Sequence, residues 1–301
     1  MSIDKLIDLI IERNNPTVVG LDPRLSYIPQ HMISKAKEKN DNPFAATAAA
    51  VLAFNKGLID ALCDIVPAIK PQAACYEQFR YEGMKAYHDT IMYAKAKGMY
   101  VIGDAKRGDI GSTCECYAAA HIGEVDLFGE RLPVFDADAV TVNPYLGSDS
   151  IKPFLVDGKM IFVLVKTSNP SSGEFQDKLM GDDALYGHVA RLVTEIGSDR
   201  IGKYGYSEVG AVVGATYPQQ LRELREKMPN TFFLVPGYGA QGGGAKDAAP
   251  AFDKNGFGAI VNSSRGIIGA WQKEGFDGKD YAAAARREAI RMRDDLRRHI
   301  I

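Results

Sequence analysis

Short apolar runs rich in β-branched residues recur along the chain, and most of the intervals between them have the pattern of amphipathic helices. The runs are residues 17–21, 68–71, 100–103, 139–142, 161–165, 210–213, 231–235 and 259–261. Nearly continuous apolar strands that alternate with helices indicate a parallel sheet covered on both faces. Eight such units over about 250 residues predict a single closed (β/α)8 barrel of the TIM type.

An open doubly wound α/β sheet is the main alternative to the barrel. That architecture usually has fewer strands and begins with a glycine-rich dinucleotide-binding turn. Residues 20–24 of this chain read Gly-Leu-Asp-Pro-Arg and lack the G-x-G-x-x-G pattern. We therefore expect one barrel domain over residues 1–301, with an N-terminal amphipathic helix and a C-terminal outer helix over about 281–301.

Two connections between the predicted strands are long, namely residues 23–43 after the first strand and about 167–183 after the fifth. Loops on the carboxyl face of a barrel carry lids and specificity elements. We expect both segments to border a functional site, and the sequence leaves the role of residues 23–43 open.

Composition and charge exclude several classes of function. The chain is 46% hydrophobic and 25% charged, which is typical of a globular protein, and its formal charge of −2 gives no broad attraction to nucleic acid or to an anionic membrane. The arginines near the C-terminus alternate with acidic residues, which favours a solvated helix. The four cysteines form no paired C-x-x-C ladder, and no signal peptide or membrane span is recognised. A cytoplasmic protein with reduced thiols is expected.

A dense charge cluster, Asp104-x-Lys106-x-x-Asp109, follows the third predicted strand. Residues two apart on a strand point to the same face, so Asp104 and Lys106 can enter one cavity. Negative charge nearby favours the protonated form of a lysine, which makes Lys106 a candidate general acid. The alternative is a solvated strand-to-helix turn in which Arg107 and Asp109 face water.

Polar residues stand at the carboxyl end of nearly every predicted strand, where barrels carry their chemistry. They are Asp22, Lys70, Asp104 with Lys106, Asn143, Thr167 with Ser168, Thr216, and Ser264 with Arg265. Each alone could cap a turn or reach toward solvent. Their common placement predicts a single site, provided that the barrel forms.

A glycine-rich segment, residues 236–244 (Pro-Gly-Tyr-Gly-Ala-Gln-Gly-Gly-Gly), follows the seventh strand, and Arg265 follows the eighth. Glycines let backbone N–H groups approach an anion, and arginine adds a permanently charged clamp. Barrels often bind phosphate at these two loops. We predict a phosphate site, against the alternative of a flexible loop with an unrelated surface arginine.

Three motifs together resemble the orotidine 5′-phosphate decarboxylase family: residues 104–110 (Asp-Ala-Lys-Arg-Gly-Asp-Ile), residues 236–242 and the pair 264–265. Arg-Gly at 107–108 and Lys-Thr-Ser-Asn-Pro at 166–170 are most similar to its longer bacterial branch. The resemblance implies decarboxylation of orotidine 5′-phosphate to UMP, the last step of de novo pyrimidine synthesis. It also implies a homodimer with shared active sites and a reaction without cofactor or metal.

The resemblance also implies roles for individual residues. The charged catalytic network is implied to be Lys70, Asp104, Lys106 and Asp109, with Lys106 as the proton donor to C6 and Asp109 entering from the neighbouring subunit. The implied substrate contacts are Asp22 and Lys70 to ribose hydroxyls, Ile110 and Thr113 from the partner subunit, Ser168 to the pyrimidine, Gln241 and Arg265 to the phosphate, and Pro236, Gly237 and Ser264 elsewhere on the ligand.

Two other functions stay open. A sugar-phosphate decarboxylase or aldolase of the same barrel group shares the Asp-x-Lys-x-x-Asp motif but uses Mg²⁺ held by acidic ligands, for which Glu77 is the one extra candidate. A non-catalytic phosphate-binding barrel would keep Gln241 and Arg265, but it has no need of Lys106 between two aspartates.

Overall fold

The computed structural model describes residues 1–239, 242–274 and 277–300. Eight parallel strands close a barrel in the order β1-β12-β11-β10-β7-β6-β3-β2. These strands are β1 (Thr17–Leu21), β2 (Ala68–Pro71), β3 (Tyr100–Arg107), β6 (Ala139–Val142), β7 (Met160–Lys166), β10 (Ser207–Val213), β11 (Thr231–Val235) and β12 (Ala259–Ser263). The predicted barrel and all eight predicted strands are confirmed.

Two antiparallel hairpins stand outside the barrel. They are β4 (Glu124–Leu127) with β5 (Glu130–Pro133), and β8 (Leu179–Met180) with β9 (Asp183–Ala184). The first hairpin turns at Phe128 and Gly129, which both have positive φ (59° and 90°), as tight hairpin turns require. The sequence analysis did not predict either hairpin.

The helices cover the outside of the barrel and its amino end. They are α1 (Ser2–Arg13), α2 (Gln30–Glu38), α3 (Pro43–Leu62), α4 (Ala74–Glu77), α5 (Arg80–Ala96), α6 (Gly111–His121), α7 (Leu185–Ile196), α8 (Pro218–Lys227), α9 (Ala245–Ala248), α10 (Arg265–Ile268) and α11 (Tyr281–Ile300). Ile3, Leu6 and Ile7 form the buried stripe of α1 and pack with the barrel interior. This helix therefore closes the amino end, and ligands must enter from the carboxyl end.

Side chains of the strands alternate between two apolar layers. Val18, Phe162 and Phe232 face the barrel interior, whereas their neighbours Val19 and Val163 pack against the surrounding helices. Full burial of one such side chain stabilises the fold by about 1.5–3 kcal/mol. The apolar layers fill the barrel interior from its amino end. The polar side chains of the barrel therefore lie at the carboxyl end.

Helix α3 is long and apolar enough to span a membrane by length and composition, which the sequence analysis did not note. In the structure it packs between α2, α5 and α11. Its residues Val51, Phe54 and Leu58 are at most 1% exposed. Asn42 caps its first turn by accepting a hydrogen bond from the backbone of Phe44 (2.9 Å). Its apolar composition is accounted for by this position in the helical layer.

The two long connections contain short structural elements. Residues 23–43 form a 3-10 turn, Leu25–Tyr27, and α2. The indole of Trp271 donates to the carbonyl of Tyr27 (2.9 Å), which ties this segment to the region that follows α10. The second connection holds a 3-10 helix, Pro170–Glu174, and the β8–β9 hairpin. Both connections lie at the carboxyl face.

Candidate active site

A cavity of about 510 Å³ opens at the carboxyl end of the barrel, a size typical of sites for small ligands. Nine residues with a predicted role in catalysis or ligand binding line it: Asp22, Lys70, Asp104, Lys106, Ser168, Pro236, Gly237, Ser264 and Arg265. Ten further lining residues had no ligand contact predicted from the sequence: Gln72, Thr141, Leu164, Thr167, Asn169, Gln176, Val212, Leu234, Tyr238 and Asn262. Most of the strand-end residues therefore converge as the barrel predicts, whereas Asn143 and Thr216 do not line this cavity.

The centre of the cavity is a buried charge network. The carboxylate of Asp104 accepts hydrogen bonds from the ammonium groups of Lys70 and Lys106, each at 2.6 Å, through its two different oxygens. The side chains of Lys70 and Asp104 are only 5% and 7% exposed, whereas that of Lys106 is 45% exposed. One carboxylate thus holds two cations, and Lys106 is the one that faces the open space.

Electrostatics fix the charge state of the buried pair. Burial disfavours the carboxylate of Asp104, but the charges of Lys70 and Lys106 outweigh it and hold the pKa of Asp104 well below its usual value. Burial likewise opposes the charge on Lys70, and the nearby carboxylates of Asp104 and Asp22 raise its pKa instead. Both groups stay ionised at neutral pH.

Two neutral side chains orient the carboxylate of Asp104. The hydroxyl of Thr141 donates to its Oδ1 (2.9 Å), and the amide of Gln72 donates to its Oδ2 (3.0 Å). The same Thr141 oxygen accepts a hydrogen bond from the backbone N–H of Lys106 (2.9 Å). Thr141 therefore couples the positions of Asp104 and Lys106. A polar residue inside an otherwise apolar strand was the available sequence signal.

Lys106 has a left-handed backbone conformation, with φ of 49°. This region is rare for residues other than glycine and costs of order 1–3 kcal/mol, so it persists where the surroundings enforce it. Pairing between β3 and β6 shifts register between Gly103 and Arg107, the interval that contains Lys106. The strain is located at the residue whose side chain reaches into the cavity, which is typical of functional sites.

The opposite side of the cavity has the features expected of an anion site. Pro236, Gly237 and Arg265 line it, and Gly237 has φ of 109°, a conformation that glycine adopts readily. The N–H of Gly243 donates to the carbonyl of Gly237 (3.1 Å), so the loop turns back on itself. Gln241, the other predicted phosphate ligand, lies outside the described residues.

Two oxygens in the cavity wall have no hydrogen-bond partner within the described part of the chain. They are Oδ1 of Asp22, beyond the end of β1, and Oδ1 of Asn262, on β12. Asn262 is only 8% exposed. Buried polar atoms are nearly always hydrogen-bonded, so both oxygens are suited to accept hydrogen bonds from hydroxyl groups of a ligand.

The loop after β7 supplies a further wall. Ser168 approaches the end of β10 so closely that a Cβ at Gly214 would lie 2.7 Å from the Ser168 Cβ. Gln176 folds back along the same loop: its Oε1 accepts from the N–H of Thr167 (2.9 Å) and its Nε2 donates to the Thr167 hydroxyl (2.8 Å). This loop therefore adds polar groups to the wall of the cavity that also contains Lys106.

Three predicted site residues do not line the cavity of their own chain. Asp109 accepts a hydrogen bond from the backbone of Ile110 (2.8 Å), Ile110 is 56% exposed, and Thr113 is exposed on the first turn of α6. Asn143 and Thr216 also lie outside this cavity. Oδ1 of Asn143 accepts from the backbone of Tyr145 (3.1 Å) in the Asn-Pro turn, and the hydroxyl of Thr216 donates to the carbonyl of Ser168 (3.1 Å).

Arg107 does not face water as the solvated-turn alternative predicts. Its guanidinium contacts the carboxylate of Glu77, donates to the carbonyl of Ala105 (3.0 Å) and lies over the ring of Tyr117. Arg107 is thus packed rather than exposed, and Glu77 is engaged with it outside the cavity lining.

Comparisons with known proteins show the family to which this chain is similar. A model of the Orotidine 5′-phosphate decarboxylase / HUMPS family matches residues 46–275. An orotidine 5′-phosphate decarboxylase of Rhodopirellula baltica is 45% identical over 296 residues, covering 96% of each chain. One from Clostridium perfringens is 42% identical over the full length of both chains.

A solved structure of an orotidine-monophosphate-decarboxylase from Toxoplasma gondii superposes with a TM-score of 0.80 at 32% identity, over 99% of this chain and 97% of that one. The family match covers more than half of this chain, and the relatives match it almost from end to end. This chain belongs to the orotidine 5′-phosphate decarboxylase / HUMPS family.

Proposed function

We propose that this protein decarboxylates orotidine 5′-phosphate to UMP, the last step of de novo pyrimidine synthesis, without cofactor or metal. The Lys70–Asp104–Lys106 network carries the proposal, because it combines two 2.6 Å ion pairs with a cavity that has an anion site on its other side. The curated relatives bear the name of this activity. The four free cysteines agree with a cytoplasmic location.

Lys106 is the proposed proton donor. When the bond between C6 and the carboxylate breaks, CO₂ leaves and the electron pair stays on C6, which has no conventional electron sink. An ammonium group beside C6 stabilises this charge and then transfers a proton to it, which completes UMP. Lys106 fits this role because its ammonium is partly exposed to the cavity and is held by Asp104.

Asp104 and Lys70 prepare the site for this step. The pKa of Asp104 lies well below its usual value, so its negative charge is present when the substrate carboxylate binds nearby. Repulsion between the two carboxylates is relieved as CO₂ departs. Lys70 balances the buried charge and, with Asp22, can bind the ribose hydroxyls. The unpaired Oδ1 of Asp22 supports that contact.

The remaining contacts hold the substrate at its two ends. Arg265, together with Gln241, binds the phosphate, and Pro236, Gly237 and Ser264 complete the wall around it. Ser168 reads the pyrimidine. Phosphate binding lies away from the reacting carbon, so its energy serves to organise the charged network around C6 rather than to perform the chemistry.

We also propose that the active site is shared in a homodimer. Asp109, Ile110 and Thr113 lie outside the cavity of their own chain, at the start of α6, where they are free to reach a partner's cavity. Ile110, the N-cap residue of that helix, and Tyr117 within it are 56% and 36% exposed. Exposed apolar side chains of this size near the start of α6 suit a protein interface.

Subunit exchange tests the shared site. Lys106→Ala and Asp109→Ala proteins, each nearly inactive, are mixed and allowed to exchange. Each mixed dimer then has one site with both lesions and one with neither. Random exchange makes half of the dimers mixed, so activity should recover to about a quarter of wild type. Fully exchanged mixtures that stay as inactive as their parents would show that Asp109 acts within its own subunit.

One assay tests the activity itself. Purified protein mixed with orotidine 5′-phosphate should remove the absorbance of the orotate chromophore, and UMP should form in equal amount. A protein that leaves the chromophore intact but still binds ribose 5-phosphate would instead be a sugar-phosphate enzyme or a phosphate-binding barrel.

A further inference from the structure

Lys166, the last residue of β7, is a fully buried lysine that the proposed reaction does not use. Its side chain is 0% exposed, and it does not line the cavity. Its ammonium donates to the carboxylate of Asp177 (2.7 Å) and to the hydroxyl of Ser172 (3.1 Å). It also lies 4.4 Å from the ring centroid of Tyr217. Burying a charge is costly, so such complete compensation calls for an explanation.

Both hydrogen-bond acceptors of Lys166 belong to the loop over residues 167–177. The same loop contributes Thr167, Ser168, Asn169 and Gln176 to the cavity wall. Asp177 directly follows Gln176, and Gln176 is in turn bonded twice to Thr167. The ammonium of Lys166 therefore helps to fix residues 172–177, and the two hydrogen bonds between Gln176 and Thr167 pass this position on to the start of the loop.

Other contacts hold both ends of this loop, and at residue 176 the backbone N–H of Tyr186 donates to the carbonyl of Gln176 (3.0 Å). The hydroxyl of Thr216 donates to the carbonyl of Ser168 (3.1 Å), and that of Tyr217 donates to the carbonyl of Asn169 (3.3 Å). Close packing also matters at the far end, since a Cβ at Gly173 would lie 2.7 Å from the carboxylate of Asp177. The Lys166–Asp177 ion pair thus adds a buried charged contact to the backbone bonds where the loop returns toward the cavity.

We propose that Lys166 is a positioning residue for recognition of the pyrimidine: through Asp177 and Ser172 it holds the 167–177 loop so that Ser168 and Gln176 face the base. This inference rests on the proposed function, in which the loop meets the base while other loops hold the ribose and phosphate. Removing the ammonium should loosen contacts to the base and leave those to ribose phosphate intact.

The test compares binding of UMP with binding of ribose 5-phosphate, which lacks the base, by calorimetry. Lys166→Met keeps the length of the side chain and removes its charge. We expect it to weaken UMP binding at least tenfold while ribose 5-phosphate binding changes less than twofold. The kcat for orotidine 5′-phosphate should fall and its KM should rise.

Lys159→Met is the matched control. Lys159 precedes the amino end of β7, far along the strand from the cavity, and its ammonium also donates to a carboxylate at 2.7 Å, that of Asp136. This variant should lower the melting temperature without changing either dissociation constant. If Lys166→Met does not fold, Asp177→Asn replaces it, because Asp177 is the 39%-exposed partner of Lys166. The same comparison of UMP binding with ribose 5-phosphate binding then tests the proposal.

The outcomes separate the two proposals. Suppose that the wild-type protein decarboxylates orotidine 5′-phosphate. If Lys166→Met then weakens the binding of UMP and of ribose 5-phosphate equally, or weakens neither, only the proposed role of Lys166 is overturned. A wild-type protein that neither binds UMP nor turns over orotidine 5′-phosphate would remove both proposals. Selective loss of UMP binding supports Lys166 as a positioning residue, because a purely structural lysine would not distinguish the two ligands.

Discussion

Replacing Thr141 by valine tests how the charged network is held together. The two side chains have nearly the same shape, so the change removes the hydroxyl and little else. That hydroxyl donates to Oδ1 of Asp104 and accepts from the backbone of Lys106, both at 2.9 Å. Thr141 is 1% exposed, and water cannot readily replace the lost bonds.

The expected magnitude follows from these two bonds. A hydrogen bond to a charged group contributes about 1.5–3 kcal/mol, and a buried N–H left without a partner costs about 1–3 kcal/mol. Together they predict a loss of roughly 2.5–6 kcal/mol in the free energy of unfolding. The bond from Thr141 to Asp104 helps to align Lys106 in the transition state. Loss of its ~1.5–3 kcal/mol from transition-state stabilisation corresponds to a fall in kcat of about 10- to 150-fold.

Urea unfolding and initial rates at saturating orotidine 5′-phosphate provide the measurements, and Thr17→Val provides the control. Thr17 is 0% exposed on β1, and its hydroxyl has no hydrogen-bond partner among the residues that the structure describes. Its replacement should leave kcat unchanged and should not lower stability. The reasoning is refuted if Thr141→Val keeps kcat within twofold of wild type, or if the two variants lose equal stability.

Three further predictions concern binding, metal and pH. Arg265→Ala should raise KM and lower kcat/KM, while orotidine without its phosphate is turned over equally by variant and wild type; impairment on that substrate alone would contradict the phosphate role. Dialysis against EDTA should leave activity unchanged, whereas loss with recovery on Mg²⁺ would favour the sugar-phosphate alternative. Burial lowers the pKa of His121 from 6.5 to about 4, so the unfolded chain binds more protons between these values. Stability should therefore decrease by up to about 3 kcal/mol as pH falls from 6.5 to 4, and His121→Leu should flatten that slope in pH-dependent urea unfolding.

The barrel could be predicted because its strands are buried on both faces and are therefore apolar almost without interruption. Strand β11 (Thr231–Val235) is buried at every position, for example. The β4–β5 hairpin was missed for the converse reason. Its strands are largely exposed and carry Glu124, Asp126 and Arg131, and its turn at Phe128–Gly129 lacks the usual Asn-Gly or Asp-Gly signal.

The charged side chains of the site could be predicted because strand ends converge in a barrel. Their neutral partners could not, since an isolated threonine or glutamine in a sequence gives no sign of what it contacts. Thr141 and Gln72 became visible only when β6 and the end of β2 were placed beside Asp104. The 167–177 loop was recognised as long, but the pairing of Lys166 with Asp177 depends on how that loop turns back.

The most direct test of the proposed chemistry is turnover of orotidine 5′-phosphate by wild type and by Lys106→Ala, with UMP binding measured on the same preparations. We expect wild type to remove the orotate absorbance and form UMP. The variant should bind UMP yet show no turnover, because the lysine acts mainly on the transition state and in proton delivery. Substantial residual decarboxylation by Lys106→Ala would contradict its role as proton donor.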